Sequence, residues 1–173
     1  MPSTRPASDE HAPYYASYVA QVPDGDVIAT LAEQIGETLD LLRPLGDEQA
    51  LFRYAPGKWS VKDVLTHMID AERVFMYRAL SFARGATDSL PSFDENAWAP
   101  AAEADAVPLD ELLDEFAAVR SATVSMLAHF PRDAWRRRGI ASGKGVTVRA
   151  LAWITAGHER HHRRVLQERY LTR

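Results

Sequence analysis

The chain contains no cysteine. That excludes a disulfide framework, a thiolate zinc site, an iron–sulfur cluster and a cysteine nucleophile of its own. Any metal must rest on nitrogen and oxygen ligands, and any thiol chemistry must borrow its thiol from a small molecule. Also missing is an uninterrupted apolar run of about 18 residues, so no membrane span is expected. No apolar signal core follows Met1, which makes a cytoplasmic location the expectation. There is no basic surplus: 20 Lys and Arg face 24 Asp and Glu, a formal net charge of −4. Nucleic-acid binding therefore has little electrostatic support. The basic clusters Arg136-Arg137-Arg138 and Arg163-Arg164 read as solvated surface with acidic partners nearby. No β alternation and no internal repeat stands out.

What is present is an ordinary globular balance of apolar and charged residues over 173 positions, enough for one domain with a proper core. Residues 1–23 carry Pro2, Pro6, Pro13 and Pro23, with Tyr14, Tyr15 and Tyr18 between them. They read as an extended arm docked through its tyrosines, its first few residues loose. Residues 24–173 form the single domain.

Four long helices are expected in it. The first is capped by Asp24 or Asp26, carries Ile28, Leu31, Ile35, Leu39 and Leu42 at helical spacing, and ends at Pro44 and Gly46. A loop over 45–59 follows. Ser60 caps the second helix, with Asp63 three residues on as a shortened capping box, and the helix runs from about Val61 to Ala83. Its apolar stripe is Val64, Met68, Ala71, Phe75, Ala79 and Phe82. Residues 85–107 form a long connection, the kind that is either functional or a crossover in a bundle. The third helix opens at Pro108, Asp110 and Glu111, buries Leu112, Phe116, Val119, Thr123, Met126 and Leu127, and stops before Pro131. A short helical turn near 133–138 and a glycine-bearing loop over 139–145 lead to Thr147. That residue caps a last helix reaching about Tyr170. The fold class is all-α, a four-helix bundle with a long crossover connection.

Six histidines are present, three of them within Gly157-His158-Glu159-Arg160-His161-His162. Residues four apart on a helix diverge by only about 40°, so His158 and His162 point the same way, one turn apart. Both fall on the face defined by Leu151, Ile154, Thr155, Val165 and Leu166, with His162 nearer its middle than His161. A buried imidazole needs a hydrogen-bond partner or a metal. His67, at the edge of the second helix's stripe, is the candidate third ligand; its bland reading is a satisfied core histidine. His158-Glu159-Arg160-His161-His162 also fits the His-Glu-x-x-His pattern of zinc proteases, a reading that needs Glu159 to face the metal. His11 in the arm and His129 at a helix C-terminus are not expected to be ligands.

Tyr54-Ala55-Pro56-Gly57-Lys58-Trp59-Ser60-Val61-Lys62-Asp63-Val64-Leu65-Thr66-His67 resembles the Trp-Ser-x-x-(Glu/Asp)-x-x-x-His signature of the DinB-like superfamily. Ile69-Asp70-Ala71-Glu72-Arg73 fits as well, and Gly157 to His162 resembles that family's second histidine motif. Order and separation match over roughly residues 24–171. The resemblance implies a four-helix bundle, often a homodimer. It implies one divalent metal (nickel, zinc, iron or manganese) on three histidines, which map onto His67, His158 and His162. It further implies a small-molecule substrate and either hydrolase chemistry or transfer involving a low-molecular-weight thiol. Where relatives often have Gly-Gln after the last motif, this chain has Arg163-Arg164.

Three imidazoles leave a coordination position open, the arrangement of catalytic rather than structural sites. An open metal lowers the pKa of bound water, polarises a carbonyl or deprotonates a thiol. No general base is assigned. Asp63 and Asp70 lie within about 60° of His67 around the helix and are candidates to orient an imidazole, against a plainer reading as surface carboxylates. Trp59 and Arg78 are candidate pocket walls, and Glu159 a candidate second-layer group. The alternative to an enzyme is a non-catalytic metal-binding stress-response or interaction protein, or a bundle whose histidines hold no metal.

Overall fold

The computed structural model of the chain describes residues 4–172. Residues 1–3, within the stretch expected to be loose, lie outside the described residues. Among the described residues, seven α-helices and one β-hairpin follow in order: α1 Ala16–Val19, α2 Val27–Leu42, α3 Asp47–Ala50, α4 Val61–Ala83, α5 Glu95–Ala101, α6 Leu109–Ala128, β1 Arg138–Ala141, β2 Lys144–Thr147 and α7 Val148–Arg169.

The long helices α2, α4, α6 and α7 make the bundle, and their caps are those the sequence announces. The Asp26 carboxylate accepts from Ile28 N at 2.9 Å, while Asp24 pairs with Arg5 at 2.9 Å. Ser60 Oγ accepts from Asp63 N at 3.0 Å, and Asp63 accepts from Ser60 N at 2.9 Å, a reciprocal box that starts α4. Thr147 Oγ1 accepts from Ala150 N at 3.1 Å and starts α7.

α4 packs against α7 and α6, and α2 packs against α6 and α7, so α2 and α4 are diagonal partners. Directions follow from the contacts. Residues 85–107 travel back along α4 to its beginning, where Ser60 Oγ donates to Asp105 at 2.6 Å and Lys62 Nζ to Val107 O at 2.7 Å. α6 therefore starts beside the start of α4 and runs parallel to it. Glu72 and Arg120 sit eleven residues past the first residue of their helices, and they pair at 2.7 Å. The Tyr170 hydroxyl donates to Trp59 O at 3.0 Å, which sets α7 antiparallel to α4. Gln34 donates to Ala156 O at 3.1 Å, and Arg163 meets Glu37 at 2.5 Å, consistent with α2 parallel to α7. The long segment after α4 is thus the crossover of the bundle.

Three expectations change. Residues 138–147 form a hairpin, with Arg138 opposite Thr147 and Ala141 opposite Lys144. Its two turn residues, Ser142 and Gly143, have φ of 53° and 71°, the left-handed pair that a tight hairpin turn requires. Strands of four residues that include Gly139 and Gly145 carry too little alternation to be read from sequence. The arm is not extended: two 3₁₀ turns, Ser8–Glu10 and Pro13–Tyr15, precede the short α1. The loop over 45–59 contains α3.

The core falls into two apolar clusters. One includes Leu31, Phe75, Phe82, Leu127, Trp135 and Trp153; the other includes Leu42, Leu65, Met68, Leu112, Phe116 and Leu166. Each fully buried Leu or Phe stabilises the fold by about 1.5–3 kcal/mol. The charged and histidine side chains described next come from the helix stretches that join these clusters. No helix among the described residues is long and apolar enough to cross a membrane.

Candidate metal centre

α4 and α7 pack side by side and antiparallel, and this brings His67 onto the turn of α7 that carries His158 and His162. His67 Nε2 lies 3.0 Å from His158 Nε2, and His162 Nε2 lies 3.1 Å from the same atom. The three form a cluster whose ligand atoms all lie within 4.8 Å of one another. Two imidazoles at about 2.1 Å from one ion, subtending 90–110°, place their nitrogens about 3.0–3.4 Å apart. The His67–His158 and His158–His162 spacings fit that requirement, and the widest separation in the trio, up to 4.8 Å, would have to shorten for all three nitrogens to reach one ion.

Hydrogen bonding serves this arrangement poorly. A neutral imidazole nitrogen offers either one proton or one lone pair. His158 Nε2 has two nitrogen neighbours at contact distance, and one proton cannot serve both well. A single cation satisfies all three lone pairs together. The rings are also neutral. Burial lowers His67 to about 4, opposed by the Glu95 carboxylate. Burial, then neighbouring His67 and His161, lowers His162 to about 3. His158 is pushed well below the usual value by burial and by the other histidines. Three uncharged imidazoles converging at their Nε2 atoms make a donor set suited to a borderline divalent ion.

Aromatic rings enclose the cluster. Trp59 packs against His67 with ring centroids 4.9 Å apart, Phe75 meets His158 edge-on at 5.8 Å, and Tyr18 meets His158 edge-on at 5.5 Å. Tyr18 comes from the arm, whose backbone lies directly on α7. A Cβ placed on Gly157 would sit 2.1 Å from the Tyr18 carbonyl oxygen. That approach explains why glycine precedes His158. A cleft of about 260 Å³ opens beside His162, lined by Lys58, Trp59, Asn96 and His161 among others.

The other anticipated residues have different duties. Asp63 is committed to the cap of α4 and to Arg53 at 3.0 Å. Asp70 faces Arg73 at 3.8 Å, and burial raises its pKa. Neither belongs to the histidine cluster. Glu159 points away from it. One of its oxygens accepts from Thr38 at 2.6 Å and the other meets Arg120 at 2.7 Å and Gln34. The zinc-protease reading therefore fails on geometry, since its carboxylate lies on the wrong side of α7. Arg78 lies well along α4 and lines a second cavity rather than the histidine cleft. Arg163, at the departure from the family pattern, ties α7 to Glu37 on α2.

Sequence reasoning missed the network around Arg120. Its Nε and Nη2 donate to Glu72 at 3.0 and 2.7 Å, and its Nη1 donates to Leu31 O at 2.9 Å. Burial works against the guanidinium charge, but Glu159 and Glu72 outweigh it and hold Arg120 firmly protonated. The signal was available: Glu72, Arg120 and Glu159 are charged residues at core positions of three helices. Glu95, on the crossover, lies near enough to His67 to oppose the effect of burial on it.

The sequence profile of the DinB superfamily matches residues 30–166, a span that holds all three histidines and leaves out the arm. A protein of Oceanobacillus iheyensis, named as a candidate metal-dependent hydrolase, is 23% identical over 137 residues, covering 78% of this chain and 76% of that one. Among solved structures, YfiT from Bacillus subtilis matches with a TM-score of 0.72 at 18% identity, over 82% of each chain. It is described as a probable metal-dependent hydrolase with an unusual four-helix bundle topology. That likeness speaks for the fold.

Proposed function

The chain belongs to the DinB superfamily, and from that premise we propose that it is a metal-dependent enzyme acting on a small molecule. Its site is one divalent ion held by His67, His158 and His162. The convergence of three neutral Nε2 atoms carries the proposal. The reaction is a hydrolysis or a transfer to a low-molecular-weight thiol, and the ion is nickel, zinc, iron or manganese. The names of the relatives support metal-dependent hydrolysis. The absence of cysteine is compatible with a thiol supplied from outside.

A bound divalent ion supplies Lewis acidity at an open position. The residues of this chain do the rest. His158, buried between α4 and the arm, fixes the centre. His67 and His162 complete it from two helices that cannot move apart without opening the core. Trp59, Phe75 and Tyr18 shield the imidazoles from water and so keep them neutral. The cleft at His162 admits the substrate, with Lys58 and Asn96 on its wall.

A non-catalytic metal protein would be favoured by a fourth protein ligand that closes the site. Among the described residues the cluster has three members. The test is a panel of esters, amides and thiol-acceptor pairs assayed with metal-loaded protein, metal-free protein and the His162→Ala variant. Turnover confined to the loaded wild type is the expected result. Equal rates in all three would overturn the proposal.

A further inference from the structure

Arg78 is 3% exposed, yet among the described residues no carboxylate lies within ion-pair distance of it. Its Nη2 donates to Pro91 O at 2.7 Å and to Ser142 Oγ at 3.1 Å. Its guanidinium also faces the Phe93 ring at 5.9 Å. The Tyr15 hydroxyl is a further neighbour, but burial raises its pKa, so it stays a neutral phenol. Buried charges are ordinarily paired, because stripping water from a cation without supplying an anion is unfavourable. A guanidinium carries five N–H donors, and neutral acceptors occupy only part of that set.

The same guanidinium lines a cavity of about 380 Å³ between α4 and the crossover. The volume is in the range of small-molecule sites. Its walls are mainly apolar, with Val74 and Tyr77 on α4 and Leu90, Phe93 and Trp98 on the crossover, and the Asp70 carboxylate, beside Arg73, is its one acidic group. Two large aromatics stay open to solvent there, Tyr77 at 60% and Trp98 at 44%. The other arginines of the bundle interior are answered differently. Arg120 has two carboxylates, and Arg163 has Glu37. Arg73, on the rim of this cavity, has Glu115 at 2.6 Å.

We propose that this cavity binds a small molecule joining an apolar body to a single carboxylate. The carboxylate pairs with Arg78, and the body lies against Val74, Tyr77, Phe93 and Trp98. A carboxylate matches the fork of a guanidinium and cancels one charge with one charge. The cavity shares no lining residue with the histidine cleft, although it reaches Asp70, one turn past His67. Arg78 stands eleven residues beyond His67, about 16 Å along the axis. The two side chains lie within about 20° of one another around α4, so both sites open along one face of that helix.

The test is calorimetric titration of the full chain, stripped of metal by chelation, with phenylacetate and its neutral counterpart 2-phenylacetamide. Phenylacetate binds more tightly by about ten- to a hundredfold, the worth of a charge-assisted hydrogen bond in a dry site. The preference disappears in Arg78→Met. Binding of both probes disappears in Val74→Trp, which fills the cavity and leaves the Arg78 contacts to Pro91 and Ser142 in place. If Arg78→Met fails to fold, Val74→Trp decides alone. Equal affinity for the two probes, no binding of phenylacetate, or binding unchanged in folded Val74→Trp would overturn the proposal. Because the metal is absent throughout, failure here leaves the histidine centre untouched.

Discussion

His158 and Glu159 are consecutive residues on α7, both buried, and they anchor two polar clusters of opposite character. On the Glu159 side, one guanidinium and two carboxylates sit in a dry layer, and each carboxylate oxygen has a donor. On the His158 side, three uncharged rings turn their nitrogens toward one another with too few protons to bond them. The first cluster pairs each of its charges within the chain and braces the bundle, with the Gln34 amide oxygen beside it left without a partner. The second is incomplete until something outside the chain joins it. Two polar groups can therefore be equally buried and adjacent, yet one is structure and the other is a site. The difference lies in whether the demand for partners is met.

The sharpest way to break this contrast is to delete one partner on the brace side. Arg120→Met leaves Glu72 and Glu159 buried and unpaired, and should destabilise the protein by about 3–5 kcal/mol in urea unfolding. His158→Gln in metal-free protein should lose much less, because no charge is stranded. Comparable losses in the two variants would erase the distinction.

Metal comes next in size. At a free ion concentration a hundred times Kd, binding should stabilise the wild type by about 2.7 kcal/mol. The shift should be absent in His67→Ala and kept in Glu159→Gln variants that fold. Calorimetric unfolding with and without zinc reads it directly.

Ser60→Ala removes the cap of α4, the helix that carries both His67 and Glu72. It should lower stability by about 1 kcal/mol and leave metal affinity unchanged. Loss of metal binding in that variant would mean that the site is less rigidly held than the packing of α4 on α7 implies.

The smallest expected effect is on loading against pH. With His67 held at about 4 and His162 at about 3 by burial, protons hardly compete with the ion above about pH 5.5. Occupancy at saturating zinc should change by less than about twofold from there to pH 7.5. The same depression acts on the metal-free fold. The unfolded chain takes up protons near 6.5 that the folded chain refuses. Stability is therefore full above that value and is lost as pH falls toward 4.

Much of this was legible in the sequence because it depends on local rules. Asp26, Ser60 and Thr147 cap helices, and Leu31, Phe75 and Leu127 mark inner faces. His158 and His162 share a face by spacing alone. His67 joined them through the resemblance of two motifs, since spacing within one helix says nothing about a neighbour 91 residues away. The capping role of Asp63 was legible, and the Asp70–Arg73 pair lies within one helix. What was not legible is that Asp63 and Glu159 take further partners from other elements: Arg53, Thr38 and Arg120. The hairpin escaped because its two glycines weaken the alternation of already short strands. The docking of Tyr18 escaped in part, although Gly157 marks where its backbone must come close.

The central claim is that the histidine cluster is completed by one metal ion. Tag-free protein should be purified and its metals counted by mass spectrometry, alongside folded His67→Ala, His158→Ala and His162→Ala variants. About one divalent ion per chain, lost in each variant, is the result this account predicts. A wild type that stays empty after exposure to nickel, zinc, iron and manganese, or a His158→Ala variant that keeps its ion, would contradict it.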